Sequence, residues 1–164
     1  MQEATDLLYN VLKNNGWNIE QSHTDTCDLP ENIQNRYNNI PTEYIEFLTH
    51  IRICVNPDET VWLLCVEDFK QESEDSFRWN EFELIGLQAA SEEKDVEWQK
   101  DIKAFWDNHL PICLSIHSGY EYYAIRMNDG HIVHGFEPEF ELPSEVADSF
   151  YKFAEMISDG KIDL

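Results

Sequence analysis

Basic side chains are scarce in this 164-residue chain, with 11 Lys and Arg against 33 Asp and Glu and a net charge of −22. A phosphate backbone is gripped by clustered Lys and Arg, so direct nucleic-acid binding is not expected. Glycine is also scarce, with six scattered residues, and no Gly-rich phosphate loop can be built from them. The four cysteines, Cys27, Cys54, Cys65 and Cys113, are widely spaced and form no C-x-x-C pair. Cys54, Cys65 and Cys113 lie in apolar, strand-like text. This pattern predicts buried reduced thiols in a cytosolic protein rather than a disulfide or zinc site. No apolar run approaches the roughly 18 residues of a membrane span. Gln2, Glu3 and Asp6 follow Met1 with neither a basic nor an apolar leader segment, so a cytoplasmic location is expected.

Aromatic residues, at 13% of the chain, are well represented. Disordered acidic tails are poor in them, so the acidity belongs to a folded body. The length suits one domain spanning residues 1–164, and no repeat, low-complexity tract or linker divides it. Solubility alone asks for a net charge of only about 2–8 in magnitude. The surplus repels itself and opposes compaction. A basic protein partner is its natural complement; general surface acidity is the alternative.

Ala4, Leu7, Leu8, Val11 and Leu12 fall on one helical face, and Asn15-Gly16 supplies a stop. Residues 17–39 read as a loop with a short helical turn. Pro41, Glu43 and the stripe Ile40, Tyr44, Phe47, Leu48 and Ile51 predict a second helix. Strands are expected at Ile51–Val55 and Thr60–Val66, around an Asn56-Pro57-Asp58-Glu59 turn. The continuous run Trp62-Leu63-Leu64-Cys65-Val66 predicts a central strand with Trp62 buried. Residues 67–83 read as a packed acidic loop with some helical turns. Ser91-Glu92-Glu93 suggests a helix start, with Val96, Trp98, Ile102, Phe105 and Trp106 following until about Asn108. Strands are expected at Ile112–Ile116, Tyr120–Met127 and His131–Phe136, the last two joined by an Asn128-Asp129-Gly130 hairpin turn. A final helix is expected from Pro143-Ser144, with Val146, Ala147, Phe150, Phe153, Ala154 and Ile157 on one face and Phe153 buried. The fold class is α+β: a mixed, largely antiparallel curved sheet packed by helices.

Catalytic signatures are missing. His131 and His134 sit three apart on a predicted strand and so face opposite sides, which argues against a shared metal. His109 closes a helix, where partial positive charge is favoured. Ser115, His117 and Ser118 are neighbours in sequence, which is no guarantee of a nucleophile–base pair. No enzyme, metal site or cofactor is expected. Two acidic regions stand out as protein-binding candidates. Glu67, Asp68, Glu72, Glu74 and Asp75 crowd the loop after the second strand. Glu137, Glu139 and Glu141 alternate around Pro138 and Phe140, so an extended chain would project three carboxylates beside an exposed aromatic.

Several segments, in order, resemble the SUKH superfamily. Ile40-Pro41-x-x-Tyr44-x-x-Phe47-Leu48 resembles its opening "L-P-x-x-Y-x-x-F-L" helix, and Thr60-Val61-Trp62-Leu63-Leu64 the strand that follows. Leu110-Pro111-Ile112, Gly119 to Ala124 and the Asp129-Gly130 turn resemble its C-terminal strands. Phe150-Tyr151-Lys152-Phe153 resembles part of its last helix. The likeness covers about residues 30–160. Thr49-His50-Ile51-Arg52 departs from the Gly-rich stop that many members carry after the first helix. The resemblance implies an α+β fold with a mixed, curved sheet. It further implies an immunity protein that blocks a cognate toxin domain, often a nuclease; fungal relatives act as cell-wall regulators and signalling scaffolds. A non-catalytic regulatory or scaffold domain, binding a protein or a small ligand on the sheet's concave face, is the alternative.

Overall fold

The computed structural model describes residues 3–70 and 77–164. The elements run α1 (Glu3–Asn14), β1 (Asn18–Gln21), α2 (Glu31–Arg36), α3 (Thr42–His50), β2 (Ile51–Val55), β3 (Val61–Leu63) and α4 (Val66–Phe69). They continue as α5 (Glu81–Glu92), α6 (Val96–Asp107), β4 (His109–Ser115), β5 (Glu121–Arg126), β6 (Ile132–Phe136), β7 (Ser144–Ala147) and α7 (Phe150–Ser158). The seven strands form one sheet in the order of the chain, and each of its six pairings is antiparallel. The α+β class therefore holds, while the parallel component expected of a mixed sheet is missing from these pairings. No described helix is long and apolar enough to cross a membrane.

Helices cover both faces. Successive side chains of a strand point to opposite sides, and the adjacent tyrosines of β5 mark the two layers. Tyr122 meets Trp106 of α6 (ring centroids 4.9 Å apart) and Phe82 of α5 (6.1 Å). Tyr123 meets Phe153 of α7 at 5.1 Å. On the Tyr123 side α1 packs against α7 and α3, and Phe150 of α7 lies 5.2 Å from the Tyr44 ring. Strand β4, between the layers, is buried along its whole length. Two buried phenols tie helices to distant backbone: Tyr44 donates to the Leu64 carbonyl and Tyr37 to the Trp106 carbonyl, each at 2.9 Å. Buried polar groups cost little once paired in this way.

Tyr122 lies directly across from Gly135 on β6. A Cβ at Gly135 would stand 2.5 Å from the Tyr122 hydroxyl, closer than atoms can pack. The phenol passes over the bare glycine and donates to the Phe140 carbonyl. Gly130, at φ 78°, supplies the left-handed residue of the predicted β5–β6 hairpin. The predicted Asn56 turn is present as well: Asn56 Oδ1 accepts from the Thr60 and Val61 amides at 2.7 and 2.9 Å.

The boundaries differ from expectation in several places, β4 for one starting at His109 and not Ile112. Residues 17–39 contain strand β1, which pairs with β2 although only Ile19 in it is buried. Helix α5 begins inside the segment read as loop. Its apolar residues follow no single stripe and Gly86 interrupts it, so its periodicity is weak. Ser91 lies in the last turn of α5, and the next helix starts from Asp95, whose Oδ1 accepts from the Trp98 amide at 3.0 Å. Strand β3 stops at Leu63, and Trp62 is half-buried where full burial was expected, with its ring stacked on Phe77. The final helix begins at Phe150, not near Pro143-Ser144. Ser149 Oγ caps it by accepting from the Lys152 amide at 3.0 Å, while Ser144–Ala147 extends the sheet beside β6. Phe153 is fully buried, as expected.

Phe153→Ala should destabilise the fold by about 3–5 kcal/mol, the usual cost of truncating a buried aromatic, and Trp62→Ala by less. Gly135→Ala should cost roughly 1–3 kcal/mol through overpacking against Tyr122. Urea midpoints for the three variants would check this order, and a Gly135→Ala midpoint equal to wild type would refute the contact.

Candidate functional site: the acidic end of the sheet

The strand register brings Val61, Ser115, Glu121 and Phe136 into one line across β3–β6. Beyond that line lie the Asn56–Thr60 turn, the 116–120 turn and the 137–143 connection. The Ile116 amide donates to the Thr60 carbonyl at 2.8 Å, which joins the first two. The Glu137 amide donates to the Tyr120 carbonyl at 2.9 Å, and Glu137 Oε1 accepts from the Tyr120 amide at 3.2 Å, which joins the second and third. Segments 56–61, 115–122 and 134–143 hold Asp58, Glu59, Glu121, Glu137, Glu139 and Glu141 and contain no Lys or Arg. These three segments are therefore acidic without a Lys or Arg of their own.

It is also apolar in part. Phe136 is 61% exposed and Leu142 74%, the two most exposed of the large apolar side chains described. Tyr120 is exposed on one side and joins the core on the other, stacked on Phe82 at 5.6 Å. Behind Phe136, His134 Nε2 lies 2.8 Å from Glu121 Oε2, and the His134 ring stacks on Tyr123 at 4.5 Å.

Only part of the predicted acidic trio faces out here. Glu137 and Glu139 are exposed, but Glu141 turns inward, because residues 137–142 form turns and not an extended strand. Burial pushes the Glu141 carboxyl above its usual range. Phe140, expected outside, is buried and stacks on Phe82 at 4.6 Å. Phe136 and Leu142 take the exposed role instead. Sequence reasoning passed over both; the signal was that Phe136 ends a strand and Leu142 stands alone in a turn.

The other predicted region is dispersed. Glu67 is exposed and lies 3.2 Å from Lys70. Asp68 closes the first turn of α4: its Oδ2 accepts from the Cys65 amide at 2.7 Å, and burial raises its pKa. It is a capping residue more than an open charge. Glu72, Glu74 and Asp75 lie outside the described residues. Since β3 runs from Val61 to Leu63 away from the acidic line, α4 with Glu67 lies off the opposite end of the strands.

The residues weighed as metal ligands or nucleophiles make other contacts. His131 and His134 are separated, as expected. His131 Nδ1 stands 3.1 Å from Glu145 and 3.6 Å from Asp129, an arrangement of ligand-type atoms. The Arg126 guanidinium fills the place a cation would take: its Nη2 donates to Asp129 at 2.7 Å and to Glu145 at 2.6 Å. The hydrogen bond from Arg126 holds the Asp129 carboxyl below its usual range. His131 and Arg126 do the same for Glu145. Ser115 Oγ accepts from the backbone amide of His117, so the adjacent serine and histidine form no such nucleophile–base contact through it. All four thiols are free; Cys54, Cys65 and Cys113 are buried, and burial pushes each of them up, away from the reactive thiolate.

His109 differs from its expected role as a favourable cation at a helix end. It is buried at the start of β4, its ring stacked on Phe105 at 3.9 Å and its Nδ1 2.7 Å from the Phe105 carbonyl. Burial lowers its pKa. Comparison of the chain with protein-family models, curated proteins and solved structures finds no match.

A folded-state pKa below the unfolded value means that His109 contributes stability above the ordinary imidazole range. That contribution is lost as the pH falls through the lowered value. Between about pH 7 and pH 5 the urea midpoint of wild type should therefore fall more steeply than that of His109→Gln. Parallel slopes would show that His109 protonates in the folded state as freely as in the unfolded one.

Proposed function

We propose that the protein is an immunity-type inhibitor of the SUKH kind, non-catalytic, which binds a basic toxin domain through the acidic end of its sheet. The observation that carries this reading is a surface without Lys or Arg in its three segments, where exposed Phe136 and Leu142 stand among Glu121, Glu137 and Glu139. Apolar anchors ringed by charge of one sign suit a protein partner of the opposite sign. The anchors supply buried contact area, and the charges steer encounter and exclude wrong partners. A nuclease toxin fits best, because enzymes that hold phosphate backbones present basic clefts. The same charge repels nucleic acid, so an inhibitor seated in the cleft would exclude the substrate from it.

A regulatory or scaffold domain would use the same surface toward another basic protein. Helices lie on both faces of the sheet, which gives no support to a small ligand on a concave face.

The test pairs the protein with a toxin domain encoded beside it and follows association by stopped flow across a salt series. Association should slow as salt rises, because screening shortens the reach of charge to about 8–10 Å near physiological ionic strength. Glu137→Gln with Glu139→Gln should slow association and leave dissociation nearly unchanged. Phe136→Ala should speed dissociation, with a loss of about 1–2 kcal/mol or more if it is an anchor. Neutralising Glu67 should have a smaller effect than either. Binding that ignores salt and all these substitutions would move the interface elsewhere.

A further inference from the structure

The turn that displays the proposed interface carries an unusual polar pair at its base. Trp106 is fully buried in α6, and its indole Nε1 has no hydrogen-bond partner. Glu141 Oε1, at the end of the turn, is likewise buried and unpartnered. The two groups face each other closely enough for the indole N–H to favour the carboxylate form of Glu141, against the larger effect of burial. An unmade hydrogen bond on each of two buried groups is costly, so both gain when they meet.

The space for this meeting is built into α5. A Cβ at Gly86 would lie 3.4 Å from Glu141 Oε1 and 3.4 Å from Ile102 of α6. A larger residue would crowd the carboxyl against the second helix. A Cβ itself would sit at ordinary contact distance, so only a side chain longer than alanine would press on the carboxyl. Next to Glu141, Phe140 is fixed on both its side chain and its carbonyl, by Phe82 and by the Tyr122 hydroxyl. Phe140 thus anchors the turn, and Glu141 is placed to decide how the chain leaves it.

We propose that Glu141 and Trp106 form a latch, closing on each other across Gly86, that holds the 137–142 turn in the shape presenting Glu137, Glu139 and Leu142 beside Phe136. Glu141 is a positioning residue in this scheme and does not touch the partner; the functional half of the inference rests on the proposed interface. The groups around its carboxyl are its own backbone amide, which favours the ionised form more than the Trp106 indole does, with Ile102, Gly86 and the phenol of Tyr122, whose pKa it helps to raise after burial. No ionised side chain contributes to its own shift. Because the neutral acid is favoured by burial, ionisation loosens the turn, and a neutral side chain of the same shape holds it at all pH values.

The test needs no partner, so its failure and the failure of the toxin-binding reading are distinguishable. In a nitrogen–proton NMR spectrum the Trp106 indole signal, assigned from contacts to its own ring and needing no variant, should shift with pH along a single carboxyl titration. In Glu141→Gln that shift should vanish. Amide exchange across residues 137–142 at neutral pH should quicken at least tenfold in Glu141→Ala, while Glu141→Gln should match or exceed wild-type protection. An indole signal indifferent to pH and to Glu141→Gln would show that the groups do not meet. Unchanged exchange in Glu141→Ala would show that the turn does not depend on them. Either result overturns the latch.

Discussion

One contact organises the acidic end of the sheet: the Tyr122 ring lying across the bare backbone of Gly135. A phenol can cross a neighbouring strand this closely only where that strand has no side chain. Having crossed, it reaches the Phe140 carbonyl and pins the chain beyond β6. Trp106, Phe82 and Phe140 then pack around the same ring. Phe140 fills the place beneath the turn, while Phe136, the neighbour of Gly135, points to the opposite face beside His134 and stays exposed. Surface chemistry at this end is set by what the core leaves outside.

The charge surplus has a comparable logic. Most cations are engaged in pairing. Arg36 makes a bidentate contact with buried Glu83 and bonds Asp107 at 2.9 Å. Arg126 gathers Asp129 and Glu145, and Arg52 pairs with Glu20. Removing one member of a buried pair leaves an uncompensated charge, so such cations are confined to their places. Exposed pairs such as Lys100–Glu97 contribute little to stability. Neither kind neutralises the end of the sheet. The repulsion concentrated there works against folding, and aromatic packing behind it has to offset that cost.

Much of the architecture was legible in the amino-acid order. The α1 stripe, the β2 strand, the Asn56 turn, the Gly130 hairpin and the burial of Phe153 all follow from local chemistry. What stayed hidden depended on partners distant in sequence. Strand β1 has one buried residue in four and owes its existence to β2. Helix α5 is apolar on several sides because it packs against α6 and the sheet together. Val146 and Ala147 fit a helical stripe as well as a strand, and only the cap at Ser149 separates the two. At the acidic end of the sheet, the acidic character of residues 137–141 could be read directly. The exchange of Phe140 for Phe136 could not, because it depends on turn geometry instead of alternation. Asp68 and Glu141 show the same limit: a carboxylate in an acidic run can be a cap or an inward-facing group, and spacing does not tell them apart.

The sheet runs in the order of the chain, and this has a consequence for how the protein assembles. Strands β4 to β7 follow one another through short connections, so each pairing closes a small loop at low entropic cost. Pairing β3 with β4 is different: it must span the chain from Leu63 to His109, and pairing β1 with β2 must span Gln21 to Ile51. Local pairings form ahead of distant ones when both are stable. The topology therefore favours the C-terminal meander as the early template onto which the N-terminal strands are added. The acidic end is carried largely by that meander, so its shape is drafted while the rest of the chain is still seeking its place.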